Sequence, residues 1–127
     1  AYEFKKLVNE SIGIIISLAE HNGSYTSAFK NIYDWISVIE KTVWSNKPLI
    51  LLSTSDGQNA GKTVLEAALS RFSRQSQHEI PHFALPKFNE NFSDTAGIID
   101  KKLSEELDKQ IGIFSRQVDD LLDSSHN

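Results

Sequence analysis

With 127 residues, 39% hydrophobic and 24% charged, the chain is long enough for one compact globular domain and too short for two. A net charge of −4 with no Lys/Arg cluster argues against nucleic acid as the main partner, and the absence of cysteine excludes disulfides, thiolate zinc sites and a cysteine nucleophile. No apolar run approaches the roughly 20 residues of a membrane span, so no membrane partner is expected, and the cysteine-free composition suits a reducing cytoplasm.

Tyr2 to Asn9 reads as the end of an amphipathic helix, with Phe4, Leu7 and Val8 on one face. The chain opens in mid-pattern and contains no methionine. The expectation is a sequence that begins inside a longer parent protein. Ile12 to Ser17 follows as a strand, and its near-continuous Ile run suits a strand covered on both faces by helices. Glu20 to Ser24 is a turn. A helix is predicted from about Thr26 to Ile39, with Phe29, Ile32, Tyr33, Ile36 and Ile39 at i, i+3, i+4 spacing and Ser24 as its cap.

Trp44 lies in the connection that follows. Pro48 to Thr54 is the second strand, apolar throughout, with Pro48 tolerated because it begins the strand. Ser55 to Gly61 is a turn-rich loop. The next helix spans roughly Lys62 to Arg74, with Val64, Leu65, Ala68, Leu69 and Phe72 inward. Pro81 to Leu85 is a short third strand, and its length and Pro81 place it at a sheet edge. Pro86 to Ala96 reads as a loop. The last helix runs from about Asp100 to Leu122, with Leu103, Leu107, Ile111, Phe114, Val118, Leu121 and Leu122 as its stripe and Glu105–Lys109 as an i,i+4 pair. Ser124 to Asn127 is expected to fray. Strands alternating with helices at these spacings mean a parallel sheet with right-handed crossovers.

In such sheets ligands sit outside the carboxyl ends of the strands. The Glu20–Ser24 turn lies there, between a strand and a helix start whose backbone amides suit an electron-rich ligand edge. One motif there is a decoy. Gly57 to Thr63 nearly spells a P-loop, but three residues separate Gly57 from Gly61 where four are needed, and Asp56 stands where glycine is required. A nucleotide triphosphatase is not expected. His78, His82 and His126 show no metal-ligand spacing, and no metal site is predicted.

Glu20-His21-Asn22-Gly23-Ser24, then Phe29-Lys30-Asn31 and Asp34-Trp35, resemble the NADPH-dependent FMN reductase family of flavodoxin-like proteins. The family pattern is P-E-Y-N-x-S, then L-K-N, then D-W. Lys47-Pro48 through Ser53-Thr54-Ser55 to Gly61 resemble its next strand and Gly-rich loop, and Gly97 to Asp100 with Leu103 resemble the approach to its final helix. The match runs from about Phe4 to Val118. Ala19 replaces the family's Pro and His21 its Tyr. The family's first half has no counterpart in the chain.

The resemblance implies a flavodoxin-like three-layer α/β sandwich with a parallel sheet in strand order 2-1-3-4-5. The chain covers roughly its last three strands and their helices. Residues 1–127 are then a single flavodoxin-like domain, incomplete at its N-terminus, where the central strand and FMN phosphate loop would lie. The resemblance further implies FMN as cofactor and NADPH or NADH as electron donor. Glu20, His21, Asn22, Gly23 and Ser24 would line the pyrimidine edge of the flavin, and Ser55, Asp56 and Gly57 a second wall. Lys30 and Asn31 would tie down the flavin loop, and Phe88 to Phe92 could cover the site, although an ordinary surface loop is the simpler expectation there.

The expected activity is hydride transfer from the nicotinamide to bound FMN. Electrons would then pass to a small-molecule acceptor such as a quinone, flavin, azo compound or metal oxyanion. No residue is assigned a catalytic role, because the cofactor carries the chemistry. A homodimer or homotetramer is expected. The rival reading is a non-catalytic flavodoxin-like module for flavin binding or electron transfer.

Overall fold

The computed structural model describes residues 2–18, 44, 46–55, 61–74 and 78–125. The elements in chain order are α1 (Tyr2–Glu10), β1 (Ile14–Leu18), β2 (Leu49–Thr54), α2 (Lys62–Ser73) and β3 (His82–Leu85). A one-turn helix α3 (Phe88–Asn91), two short strands β4 (Phe92–Ser93) and β5 (Gly97–Ile98), and the long helix α4 (Lys101–Ser125) complete them. β1, β2 and β3 form a parallel sheet in that order. Ile14 pairs with Leu49 and Leu18 with Ser53; Leu51 pairs with His82 and Thr54 with Leu85. The order reproduces the last three strands of the flavodoxin-like arrangement. The predicted helix over 26–39 lies outside the described residues.

Residue alternation divides the sheet into two faces. Ile16, Leu18, Leu49 and Leu51 point to one, where they meet Val64, Leu65, Ala68 and Phe72 of α2. Trp44 closes this core, its ring edge-on to Phe72 at 5.3 Å and to Phe4 at 6.2 Å. The opposite face carries the buried Ile50, Phe83 and Leu85, and α4 lies against β2 and β3. Leu51, at the centre of the sheet, is 0% exposed.

β1 departs from its predicted burial on both faces. Ile16 and Leu18 are buried, but Ile15 is 65% exposed and Ser17 is exposed too. Among the described residues β1 is an edge strand, and α4 packs mainly on β2 and β3, leaving Ile15 exposed. The continuous apolar run therefore has two different meanings in the chain: burial on both faces over Leu49 to Leu51 of β2, one-sided burial in β1. In α1 the buried positions are Lys5 and Val8, while Leu7 is 63% exposed. The core takes the face through positions 5 and 8, one helical turn apart, and Leu7 falls off it.

The expected loop over 86–96 is structured. α3 leads into an antiparallel hairpin in which Phe92 pairs with Ile98 and Ser93 with Gly97. Its turn is closed by the Ala96 N–H donating to Ser93 Oγ at 2.9 Å, and Gly97 supplies a φ of +70°. Two-residue strands are too short to show a period, so only the turn residues were visible in sequence.

α4 starts where expected, capped by Asp100, whose Oδ1 accepts from the Leu103 N–H at 2.9 Å. It runs on to Ser125, past the predicted fraying point at Ser124. Ile111 and Leu122 of the predicted stripe are exposed. No ion pair between Glu105 and Lys109 is found among the described residues. The i,i+4 link lies one position on, from Gln110 Nε2 to Glu106 Oε1 at 3.0 Å. Gln110 also accepts the outward N–H of His82 through Oε1 at 3.2 Å, so a side chain of α4 partly blocks the open edge of β3.

The start of β1 lies against α4. A Cβ placed on Gly13 would stand 2.8 Å from Phe114 Cζ and 2.9 Å from Val118 Cγ2. Gly13→Ala is expected to cost about 1–3 kcal/mol through overpacking. The check is urea unfolding, with a lower midpoint at unchanged slope. Gln110→Ala frees the His82 amide at the sheet edge, and raised self-association is expected by analytical ultracentrifugation.

Candidate functional site at the carboxyl ends of the strands

Parallel pairing brings Leu18, Thr54 and Leu85 to the same edge of the sheet. Open α/β sheets take their ligands at this edge. The backbone there is tied from loop to loop. Thr54 Oγ1 donates to the Leu85 carbonyl at 2.7 Å, joining the ends of β2 and β3. One residue further on, the Phe88 N–H donates to the Ser55 carbonyl at 2.9 Å, joining the two loops that follow.

Gly61 ends the loop after β2 and begins α2. Its φ of +75° is in the left-handed region, and a Cβ there would lie 3.1 Å from Ser53 Cβ. Glycine is required on both counts, conformation and space. Its carbonyl accepts the Leu65 N–H at 3.1 Å, the first helical bond, and Gly61 itself, as the capping residue, brings no side chain to that end. The positive end of the α2 dipole therefore opens at this edge.

Of the residues predicted to contact a cofactor, Ser55 is placed at this edge, half-buried at the end of β2. Glu20, His21, Asn22, Gly23, Ser24, Asp56 and Gly57 lie outside the described residues, as do Lys30 and Asn31. The contribution that sequence reasoning undervalued is the segment after β3. Lys87 has a left-handed φ of 46°, and its carbonyl accepts from Glu90 and Asn91 N–H groups at 2.9 and 3.0 Å. Asn91 Nδ2 returns a bond to the Pro86 carbonyl at 2.8 Å. Phe88 stacks on Phe92, with centroids 4.9 Å apart and planes at 17°. The Asn- and Pro-rich composition signalled a turn; the long-range tie to Ser55 left no local signal.

A second concavity, a groove of about 430 Å³, lies beside β3 between α2 and α4. Leu65, Leu69, Phe83 and Leu103 line it together with Lys62, Glu66, Glu106 and Gln110. Among the described residues no group of three or more His, Asp or Glu could hold a metal ion, and no helix is long and apolar enough to cross a membrane. His82 is exposed, with Nδ1 3.0 Å from the Ile80 carbonyl.

A parallel sheet in this order, with helices and a ligand edge at its strand ends, defines a flavodoxin-like α/β protein. Among solved structures, FerB, a flavoenzyme NAD(P)H:(acceptor) oxidoreductase from Paracoccus denitrificans, shares the fold with a TM-score of 0.65. The likeness covers 96% of this chain and 67% of FerB, at 18% sequence identity. The sequence profile of the NADPH-dependent FMN reductases matches residues 1–90, and the chain belongs to that family. A comparison with curated proteins gives no match. The family resemblance read from Glu20 to Gly61 is thus confirmed; the profile stops short of the stretch to Val118. Membership makes the protein a flavin-dependent oxidoreductase, with FMN and NAD(P)H as its cofactors.

The edge suits FMN in the chemistry it offers. A helix start, a serine and loop backbone are the described groups at this edge, and polar groups of this kind suit an electron-rich ring system.

Two variants test the construction of this edge. Gly61→Ala forces an L-residue into the left-handed region against Ser53 and is expected to cost about 1–2 kcal/mol, read as a lower urea midpoint. Thr54→Val removes the donor to Leu85. Its expected cost is about 0.5–1.5 kcal/mol, with faster amide exchange confined to the residues after β2 and β3.

Proposed function

We propose that the protein is an NAD(P)H-dependent FMN reductase that delivers electrons to a small-molecule acceptor, acting in the cytoplasm as a homodimer or homotetramer. The observation that carries this reading is the carboxyl edge, where Ser55 and Gly61 bracket the loop after the central strand in a chain of this family. Glu20, His21, Asn22, Gly23 and Ser24 would line the pyrimidine end of the flavin from the loop after β1, with Ser55, Asp56 and Gly57 on the neighbouring loop. The exposed Leu7, Ile15 and Ile111 supply apolar surface for subunit contacts. Among the described residues β1 pairs on one side, with β2, and its other edge is where the family's first strand would add.

When bound, FMN supplies the redox chemistry, accepting two electrons as hydride from the nicotinamide and releasing them to the acceptor. The protein's part is to bind, orient and provide fixed dipoles. Backbone N–H groups of the loops after β1 and β2 would stabilise the charge the flavin gains on reduction, without reorganising. Quinone, free flavin, azo compound and metal oxyanion are the acceptor classes this chemistry serves.

Purified protein supplied with FMN should consume NADPH steadily in the presence of a quinone. Flavin binding with no NADPH consumption would instead mark an electron-transfer module and sink the reductase reading.

A further inference from the structure

We infer that Phe88, seated on Phe92, is a stacking platform for a planar aromatic electron acceptor, and that it sets a preference for such acceptors over small anions. The inference rests on the reductase reading for its redox partner, but its geometry stands independently. Phe88 is anchored at the ligand edge by the 2.9 Å bond from its N–H to the Ser55 carbonyl. Its ring lies nearly parallel to Phe92 at 4.9 Å, and the residue remains 36% exposed. Neither ring joins the hydrophobic core. A ring supported on one face by a second ring keeps its other face available to a third, and offset stacking is a favoured aromatic geometry.

The support is fixed on every side. Lys87 turns the chain through a left-handed conformation, and Asn91 bonds back to Pro86. The Ile99 N–H closes the far side on the Asn91 carbonyl at 2.8 Å. A non-glycine residue in that conformation persists where its surroundings over-determine it, a pattern that clusters at ligand clamps.

Charge separates the acceptor classes. Lys87 lies 4.0 Å from Glu90, and Asp94 follows in the exposed hairpin turn. This wall therefore carries one positive and two negative side chains. Such a balance does not gather a metal oxyanion, whereas an uncharged flat ring meets no electrostatic barrier.

The test compares wild type, Phe88→Ala and Phe88→Tyr in two readouts. In steady state, FMN-loaded Phe88→Ala should show a KM for a naphthoquinone raised about fivefold to tenfold, with ferricyanide turnover unchanged and Phe88→Tyr restoring the quinone KM. In the second readout, 2-naphthol, which does not turn over, is titrated into protein with isotope-labelled Phe rings. Ring-current shifts at Phe88 and Phe92 are expected in wild type. Unchanged quinone KM in Phe88→Ala, or equal losses with quinone and ferricyanide, overturns the inference. Absent naphthol shifts in wild type overturn it too, even if Phe88→Ala does not fold. Wild type that oxidises no NADPH with any acceptor defeats the reductase reading instead, and the naphthol titration then decides the platform separately.

Discussion

The structure depends on the burial of one strand, Leu49 to Thr54. Its Leu51 has no solvent exposure, and a backbone so placed must satisfy every N–H and C=O inside the protein. β1 and β3 supply those partners, and both run parallel to it. Parallel neighbours cannot be joined by hairpins; each needs a crossover, and a helix on the sheet face provides it. α2 is such a crossover, and the face it covers is the core around Phe72 and Trp44. The same requirement directs all three strands one way. The ligand edge is therefore a consequence of how the central strand is buried, and the hydrogen-bond ladder continues past the strands through Thr54–Leu85 and Ser55–Phe88.

This dependence explains what was legible in the sequence. β2 was readable because both its faces are apolar and both are covered. α2 was readable because Val64, Leu65, Ala68 and Phe72 repeat at helical spacing on a single buried face. β1 is as apolar as β2 but, among the described residues, sits at an edge, so Ile15 was misjudged: composition reports what could be buried, not what a neighbour covers. Lys5 was hidden for a related reason, since its long apolar stem can lie buried while a hydrophobicity pattern scores only its charge. The site divided in the same way. The family motif and the glycine at 61 are local signals. The anchoring of Phe88 to Ser55 spans 33 positions of chain and depends on β3 lying beside β2.

The two exposed ion pairs of α1 and α3 contribute little to this arrangement. Lys6–Glu10 at 3.9 Å and Lys87–Glu90 at 4.0 Å are long and solvent-exposed, and such pairs are worth about 0–1 kcal/mol. A buried aromatic such as Phe72 is worth several times that, since truncating one typically costs about 3–5 kcal/mol. Stability thus resides in the apolar layers, away from the strand ends. The strand ends instead carry left-handed residues, Gly61 and Lys87, one in each of the loops after β2 and β3.

That separation suits a protein whose chemistry is carried by a cofactor. A hydride acceptor needs no proton relay from side chains; it needs a flat ring held at a fixed distance from its donor, with dipoles already aimed at the charge it gains. Dipoles fixed by backbone geometry meet this need better than mobile charged side chains, because they do not have to reorient as the ring is reduced. Gly61 admits the turn that starts α2 without a Cβ between the loop and Ser53, and the carbonyl of Ser55 is already bound from the neighbouring loop. The loop after β2 is consequently held at both ends by contacts within the protein. Ordering those ends is settled when the chain folds, which lowers the entropy to be surrendered when a ligand binds.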